Sequence, residues 1–202
     1  LLRWQPLSGA MRQAGPLPVD RCVYIGAQIL TALGATHAAG IVHRDLKPDN
    51  VFLVRMGDRD DFVKLLDFGI AKIIREHVTD AKLTQTGAVM GTPYYMSPEQ
   101  ARGIKNLDHR VDIYAAGVIL YEMLTTRTPF EGDTYNQILS AILLDPFPPP
   151  CSLRKDVPQA IEAVVLRAMS RNRDKRFPDA AAMRTALRDA LLAITRPFIE
   201  VH

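Results

Sequence analysis

The chain has 202 residues, of which 48% are hydrophobic and 23% are charged. This composition is typical of one globular domain with a full core and excludes a largely disordered chain. The formal net charge is only +3, which gives little support to a nucleic-acid binder, so we expect no nucleic-acid partner. The two cysteines, Cys22 and Cys151, lack the spacing of a metal site or a disulfide framework, which favours a cytoplasmic location.

The amino-terminal part is predicted to contain one long helix. Residues 1–4 are predicted to end a helix, residues 5–18 to form a loop rich in proline and glycine, and residues 18–38 to be helical. Residues 22–42 carry no formal charge, which raises the question of a membrane span. Their apolar positions recur every three or four residues among polar side chains and glycines. We therefore predict a buried amphipathic helix, no membrane segment and no signal peptide.

Short β-branched runs follow the long helix. Residues 41–42 are predicted to form a short strand, and residues 51–54 and 63–66 to form two strands separated by a polar turn. The two strands would make a hairpin, which would hold Asn50 and Asp67 close together.

The stretch HRDLKPDN and the tripeptide DFG carry side chains suited to phosphoryl transfer. Asp45 can orient a hydroxyl group and accept its proton, and Lys47 can hold a phosphate group. Asn50 and Asp67 offer hard oxygen ligands, which suit Mg²⁺. Each of these side chains alone is more often a turn former, a helix cap or a solvated charge, so the interpretation depends on the set.

Three motifs occur in order: HRDLKPDN at 43–50, DFG at 67–69 and GTPYYMSPE at 91–99. They resemble the motifs of Hanks-type, eukaryotic-like bacterial serine/threonine protein kinases. The resemblance implies an α+β, mainly α-helical, protein-kinase-like fold. Within it, residues 1–202 would form only the C-terminal (large) lobe, with short β-hairpins around the catalytic loop. It also implies transfer of the ATP γ-phosphoryl group, with Mg²⁺, to Ser or Thr hydroxyls of protein substrates.

The resemblance assigns roles to further residues. The nucleotide and its metal are expected to contact Lys47, Asp49, Asn50, Phe52 and Asp67. Phe52 would lie beneath the adenine ring, and His43 and Phe68 would stack in the internal column that links the two lobes, with Gly69 completing the DFG motif. Plain core packing is compatible with both phenylalanines. Asp49 could also attract a basic substrate residue, although a solvated loop carboxylate is the simpler interpretation.

Residues 67–99 have the length and polarity of a mobile regulatory loop, the activation segment. In similar kinases an arginine at the position of Arg44 pairs with a phosphothreonine on this loop. Thr84 and Thr86 are the candidate phosphorylation sites, with solvated loop threonines as the alternative. Thr92 is expected to shape the substrate pocket, and together with Lys47 it favours Ser/Thr over Tyr specificity.

Three residues are expected to support the site structurally. A buried Glu99 needs a partner because an unpaired buried carboxylate is costly, and Arg176 lies where the family places that partner. Asp112 is expected to cap the HRD loop from below, with an ordinary helix cap as the alternative. The neighbouring basic residues are predicted to be a solvated helix connection: Arg171, Arg173 and Lys175.

The carboxy-terminal half is predicted to be helical. The predicted helices are 112–124, 134–143, 158–170 and 179–194. The proline-rich residues 146–150 are predicted to be a stiff connector that cannot be helical.

The elements that clamp the ATP phosphates in similar kinases are absent from the sequence. No lysine precedes Lys47, no glutamate precedes Glu76, and no Gly-x-Gly occurs anywhere. We therefore expect the N-terminal lobe to be missing, and to be supplied in cis or by a partner chain if the protein is active. Two hypotheses follow: a truncated catalytic domain of an active kinase, or a noncatalytic kinase-like binding module or remnant.

Overall fold

A three-stranded antiparallel sheet, eight α-helices and three short 3-10 helices lie in the part of the chain that the computed structural model describes, residues 4–56, 59–66 and 93–195. The strands are β1 (Trp4–Pro6), β2 (Val51–Met56) and β3 (Arg59–Leu65). The helices are α1 (Leu7–Ala14), α2 (Val19–Ala38), α3 (Pro98–Ala101), α4 (Arg110–Thr125), α5 (Tyr135–Leu144), α6 (Pro150–Leu153), α7 (Gln159–Ala168) and α8 (Ala180–Thr195). This mainly helical architecture with a small sheet agrees with the predicted fold class.

The sheet has the strand order β1-β2-β3, with both pairs antiparallel. The predicted hairpin of β2 and β3 is confirmed, with Val51 opposite Leu65. The prediction that residues 1–4 end a helix is wrong at Trp4, which begins β1 and lies opposite Val54; residues 1–3 lie outside the described ranges. A strand of three residues is too short to show an alternating pattern. Its partner strand also lies far along the chain, so no local signal marks the pairing.

Helix α1 occupies part of residues 5–18, where a loop was predicted. Its buried apolar residues, Leu7, Ala10 and Met11, recur at helical spacing. Gly15, at φ 68°, follows the helix in a conformation that favours glycine. The prolines and Gly15 therefore flank this helix, and Gly9 lies within it without breaking it.

Helices α2 and α4 form the centre of the core. The helix predicted at 18–38 is confirmed as α2, which packs against β3, α4 and α8. A Cβ atom on Gly26 would come within 2.7 Å of the Leu120 side chain, so glycine permits the close approach of α2 and α4. Helix α4 is buried on nearly all of its faces, as expected for a helix enclosed by other elements.

The strand predicted at residues 41–42 is not formed. Ile41 instead donates its backbone N–H to the Thr36 carbonyl oxygen, in the turn that ends α2. Neither residue pairs with a strand of the described sheet, so this segment adds no hydrogen bonds to its ladder.

The predicted carboxy-terminal helices correspond to α4, α5, α7 and α8. The connector predicted at 146–150 is non-helical as far as Pro149, but Pro150 begins the short helix α6. Proline fits the first position of a helix because it has no backbone N–H, and an N–H at that position would have no intrahelical acceptor. Within the described ranges, no helix has both the length and the apolar character needed to span a bilayer.

Candidate active site

The loop at residues 43–50 joins α2 to β2 and rests on a buried carboxylate. Asp112 of α4 is 1% exposed. Its Oδ2 accepts a hydrogen bond from the His43 backbone N–H at 2.8 Å, and its Oδ1 accepts one from the Arg44 N–H at 2.9 Å. Asp112 thus fixes two successive peptide groups of the loop.

Arg44 adopts a left-handed backbone conformation, with φ 62°. This conformation costs a non-glycine residue about 1 kcal/mol or more, so neighbouring contacts must hold it. Asp112 binds its N–H, and the Gln100 side chain donates to its carbonyl oxygen at 2.9 Å. Gln100 also forms a capping box with Ser97 at the start of α3. The S-x-x-Q pattern predicts such a box, but gives no sign of the contact with Arg44.

Two predicted residues of the loop, Lys47 and Asn50, converge on one carboxylate oxygen of a third, Asp45. The Lys47 ammonium lies 3.6 Å from Asp45 Oδ2, and the Asn50 amide nitrogen lies 3.5 Å from the same atom. The Asn50 amide also donates to the Asp45 backbone oxygen at 2.9 Å. Lys47 and Asp45 are about one-third exposed, so both can reach a ligand, whereas Asn50 is buried.

Asp49 is exposed in the turn that leads into β2, and its carboxylate accepts a hydrogen bond from the Ser8 hydroxyl at 2.7 Å. This contact links α1 to the loop. Ser8 was not among the predicted residues, because residues 5–18 were predicted to form a loop.

Phe52 belongs to a partly exposed surface that we call the outer sheet face, formed by Trp4, Phe52, Phe62 and Lys64. The Trp4 ring meets Phe52 edge to face, with the centroids 6.3 Å apart. The Lys64 ammonium lies 5.1 Å from the Trp4 ring centroid. Trp4 is 49% exposed and Phe62 is 39% exposed, so this face offers apolar area next to the 43–50 loop.

Glu99 and Arg176 form a buried ion pair. The two guanidinium nitrogens donate to the two carboxylate oxygens at 2.6 and 2.7 Å. Arg176 also donates to the carbonyl oxygens of Ser170 and Arg110. Burial alone would raise the pKa of Glu99, but the hydrogen bonds and charge of Arg176 outweigh burial and lower it.

Arg171 is not part of a solvated connection, which corrects the prediction. Its guanidinium donates to the carbonyl oxygens of Ala141, Ile142 and Asp145 at the end of α5. The last carbonyl groups of a helix lack intrahelical donors, and this arginine supplies them. Lys175 is exposed and the Arg173 side chain is 41% exposed, which agrees with the prediction for these two residues.

Two further contacts beneath the loop were missed. His37, in the last turn of α2, is hydrogen-bonded through Nε2 to Asp112 Oδ2 at 2.8 Å. The Tyr95 hydroxyl donates to Glu122 Oε2 at 2.6 Å, and burial raises the pKa of both groups. The only sequence signal for His37 is its place on the apolar face of the predicted helix.

Several predicted residues lie outside the described ranges, and their roles stay predictions: Asp67, Phe68, Gly69, Thr84, Thr86 and Thr92. His43, the predicted partner of Phe68, is fully buried, with its Nε2 3.2 Å from the Leu66 carbonyl oxygen. Leu66 donates its N–H to the Asn50 carbonyl oxygen at 2.9 Å. The last described residue before Asp67 therefore lies beside Asn50.

Comparison with known proteins identifies a matching family and similar bacterial proteins. Residues 2–186 match the family described as "Protein kinase domain". The chain is 47% identical to the serine/threonine-protein kinase Pkn1 of Myxococcus xanthus over 87% of its length, and 39% identical to PknH of Mycobacterium tuberculosis over 95%. It spans only 25% and 29% of these two relatives.

Two solved structures are also similar to this chain. The kinase domain of Mycobacterium tuberculosis PknI superposes with a TM-score of 0.69 at 23% identity, over 94% of this chain and 64% of that one. Rad53 in complex with AMP-PNP gives a TM-score of 0.70 at 27% identity, over 90% of this chain and 43% of that one.

Proposed function

Because the chain belongs to the protein kinase family, we propose that it transfers the γ-phosphoryl group of ATP to serine or threonine hydroxyls of protein substrates. Its curated relatives are serine/threonine-protein kinases of bacteria. The chain spans about a quarter to a third of the length of the relatives that it matches, so the activity is proposed for a protein in which this chain is the catalytic part.

The observation that carries the proposal is the convergence of Lys47 and Asn50 on the Asp45 carboxylate. In the proposed reaction Asp45 orients the substrate hydroxyl and accepts its proton as the hydroxyl oxygen forms its bond to the γ-phosphorus. The bond from that phosphorus to the bridging oxygen breaks, and ADP leaves. Lys47, within reach of the same carboxylate, stabilises the negative charge on the transferring group. The Asn50 hydrogen bonds hold the Asp45 segment in place.

The described residues fit a nucleotide with Mg²⁺. The amide nitrogen of Asn50 is committed to Asp45, and no donor among the described residues is hydrogen-bonded to its Oδ1. That oxygen is a suitable hard ligand for Mg²⁺, with Asp67 proposed as the second ligand. When bound, the metal would neutralise charge on the phosphate oxygens. Phe52 is proposed to support the adenine ring on the outer sheet face, with Asp49 at the edge of the nucleotide site.

We propose that residues 67–99 form the activation segment and that Arg44 pairs with phosphorylated Thr84 or Thr86. The buried Arg44 Nε has no hydrogen-bond partner among the described residues, which supports this assignment. Thr92 is proposed to shape the substrate pocket.

An N-terminal lobe, in cis or on a partner chain, would complete the ATP site. The free thiols of Cys22 and Cys151 support a cytoplasmic location for this activity.

The proposal is tested by Mg-ATP-dependent phosphorylation of a general Ser/Thr protein substrate. The assay compares the 202-residue chain with the same chain extended by the coding sequence upstream of Leu1. In the form that transfers phosphate, Asp45→Asn is expected to lower the rate by about a hundredfold or more, because the proton acceptor is lost.

Asp189→Asn is the matched control, since this exposed carboxylate lies on α8. It is expected to leave the rate unchanged. Absence of transfer from both forms would favour the noncatalytic binding module, and full activity of Asp45→Asn would contradict the assigned role of Asp45.

A further inference from the structure

An open groove of about 460 Å³ lies between the end of α3 and the segment that follows α7. We call it the basic groove; the lining residues that matter here are Arg102, Ile104, Arg171, Arg173 and Asp174. The proposed phosphoryl-transfer site does not include them.

Positive charge is concentrated around the basic groove. Residues 99–110 and 171–176 contain seven Arg or Lys residues and three Asp or Glu residues, which gives a net charge of +4 (7 − 3). The whole chain has a net charge of only +3. The remaining residues together are therefore slightly acidic, and the basic character of the protein belongs to this region.

The three carboxylates of the region are already paired. Glu99 is held by Arg176, while Asp108 and Asp174 both accept hydrogen bonds from Arg110 at 2.8 Å. The excess charge therefore lies on the remaining basic side chains.

Two arginines of the basic groove remain accessible. Arg102 is exposed, and no carboxylate of the described residues lies within ion-pair distance of it. Arg173 is 41% exposed on its side chain and lies 3.5 Å from Asp108, whose oxygens already bind Arg110. Both guanidinium groups can therefore bind a further anion, and their planar shape suits the two oxygens of a carboxylate.

Ile104 adds apolar surface to the same groove and is 42% exposed. The described lining contains no aromatic ring on which a nucleic-acid base could stack. A polypeptide with carboxylates beside an apolar side chain matches both features. We propose that the basic groove binds an acidic segment of a partner protein, with its carboxylates on Arg102 and Arg173 and an apolar residue on Ile104. This inference does not depend on the proposed phosphoryl transfer.

Isothermal titration calorimetry tests the proposal with a short synthetic peptide of Glu and Asp around a central Leu. The matched control peptide has Gln in place of each Glu and Asn in place of each Asp. The acidic peptide is expected to bind the 202-residue chain, with an affinity that falls as salt is added, and the neutral peptide is expected not to bind. The double variant Arg102→Glu/Arg173→Glu should weaken binding at least about tenfold, and Ile104→Ser should weaken it less.

Arg188→Glu is the matched control because it makes the same charge change at an exposed position on α8. It should change the affinity less than about twofold, since the effect of distant surface charges is screened. If the double variant does not fold, Arg102→Gln/Arg173→Gln takes its place. The proposal is overturned if the neutral peptide binds equally well, if Arg188→Glu weakens binding as much as the groove variant, or if a single-stranded oligonucleotide binds the groove more tightly than the acidic peptide.

Discussion

Replacement of Arg176 by alanine is expected to lower the free energy of unfolding by about 3–5 kcal/mol, because it leaves the buried Glu99 carboxylate without its counter-ion. Glu99 is 4% exposed, and Arg176 supplies both of its short hydrogen bonds. The same change removes the donors to the Ser170 and Arg110 carbonyl oxygens. Urea unfolding, followed by far-ultraviolet circular dichroism, measures the loss.

The loss of unfolding free energy in Arg176→Ala is expected to become smaller as the pH falls. The pKa of Glu99 is lowered in the folded protein, since Arg176 outweighs the opposing effect of burial. A carboxylate with a lowered folded-state pKa contributes stability above its unfolded pKa of about 4.3, and loses that contribution as the pH falls through the folded value. The unfolding free energies of the wild type and Arg176→Ala should therefore converge in acid.

Two control variants test whether the loss of stability comes from the buried Glu99–Arg176 pair. Arg188→Ala removes an exposed arginine from α8 and should change the stability by less than about 0.5 kcal/mol. The double variant Glu99→Gln/Arg176→Met should be more stable than Arg176→Ala, because no charge is left buried alone. A loss below about 1 kcal/mol for Arg176→Ala would show that the pair is not a structural support.

Asp112→Ala is expected to cost about 2–6 kcal/mol of folding free energy, and to reduce phosphoryl transfer in any form of the protein that is active. The change removes the acceptor of the His43 and Arg44 backbone N–H groups, each worth about 1–3 kcal/mol when left buried without a partner. It also frees Arg44 from its left-handed conformation, which would displace the neighbouring Asp45. Urea unfolding and the phosphorylation assay measure the two effects.

Asp112→Asn removes the negative charge of this side chain but keeps part of its hydrogen bonding to the loop. The asparagine keeps one acceptor oxygen but turns an amide group toward one of the two donors, so an intermediate loss of stability is expected. Asp189→Ala serves as the exposed control and should change neither property. If Asp112→Ala matches that control in stability, the loop does not depend on Asp112.

Local patterns predicted the longer elements that have a period of their own, whereas the short helix α1 was missed because the proline and glycine residues around it were interpreted as a loop. Helix α2 and the β2–β3 hairpin were predicted because their apolar and β-branched runs are long enough to recognise. Strand β1 was missed because its partner Val54 lies far along the chain, and residues 41–42 do not pair with any strand of the described sheet. Pairing between distant segments decides such short elements, and a single sequence does not display it.

The linear motif predicted the side chains of the candidate site but not all of the structure that holds them. Asp45, Lys47 and Asn50 were recognised because they lie in one short loop. Gln100 and His37, which support that loop through Arg44 and Asp112, come from other elements and have no motif of their own. Arg171 was misassigned for the same reason, since the α5 carbonyl groups that it binds are distant in sequence.

Trp4 is the only tryptophan of the chain, and it lies on the outer sheet face in contact with Phe52 and near the Lys64 ammonium. Indole emission responds to the polarity around the ring and to a cation held against its face. The protein therefore carries an intrinsic optical reporter for this one surface. A nucleotide or polypeptide that covers Phe52 would alter the emission of Trp4, whereas a ligand confined to the basic groove would leave it unchanged.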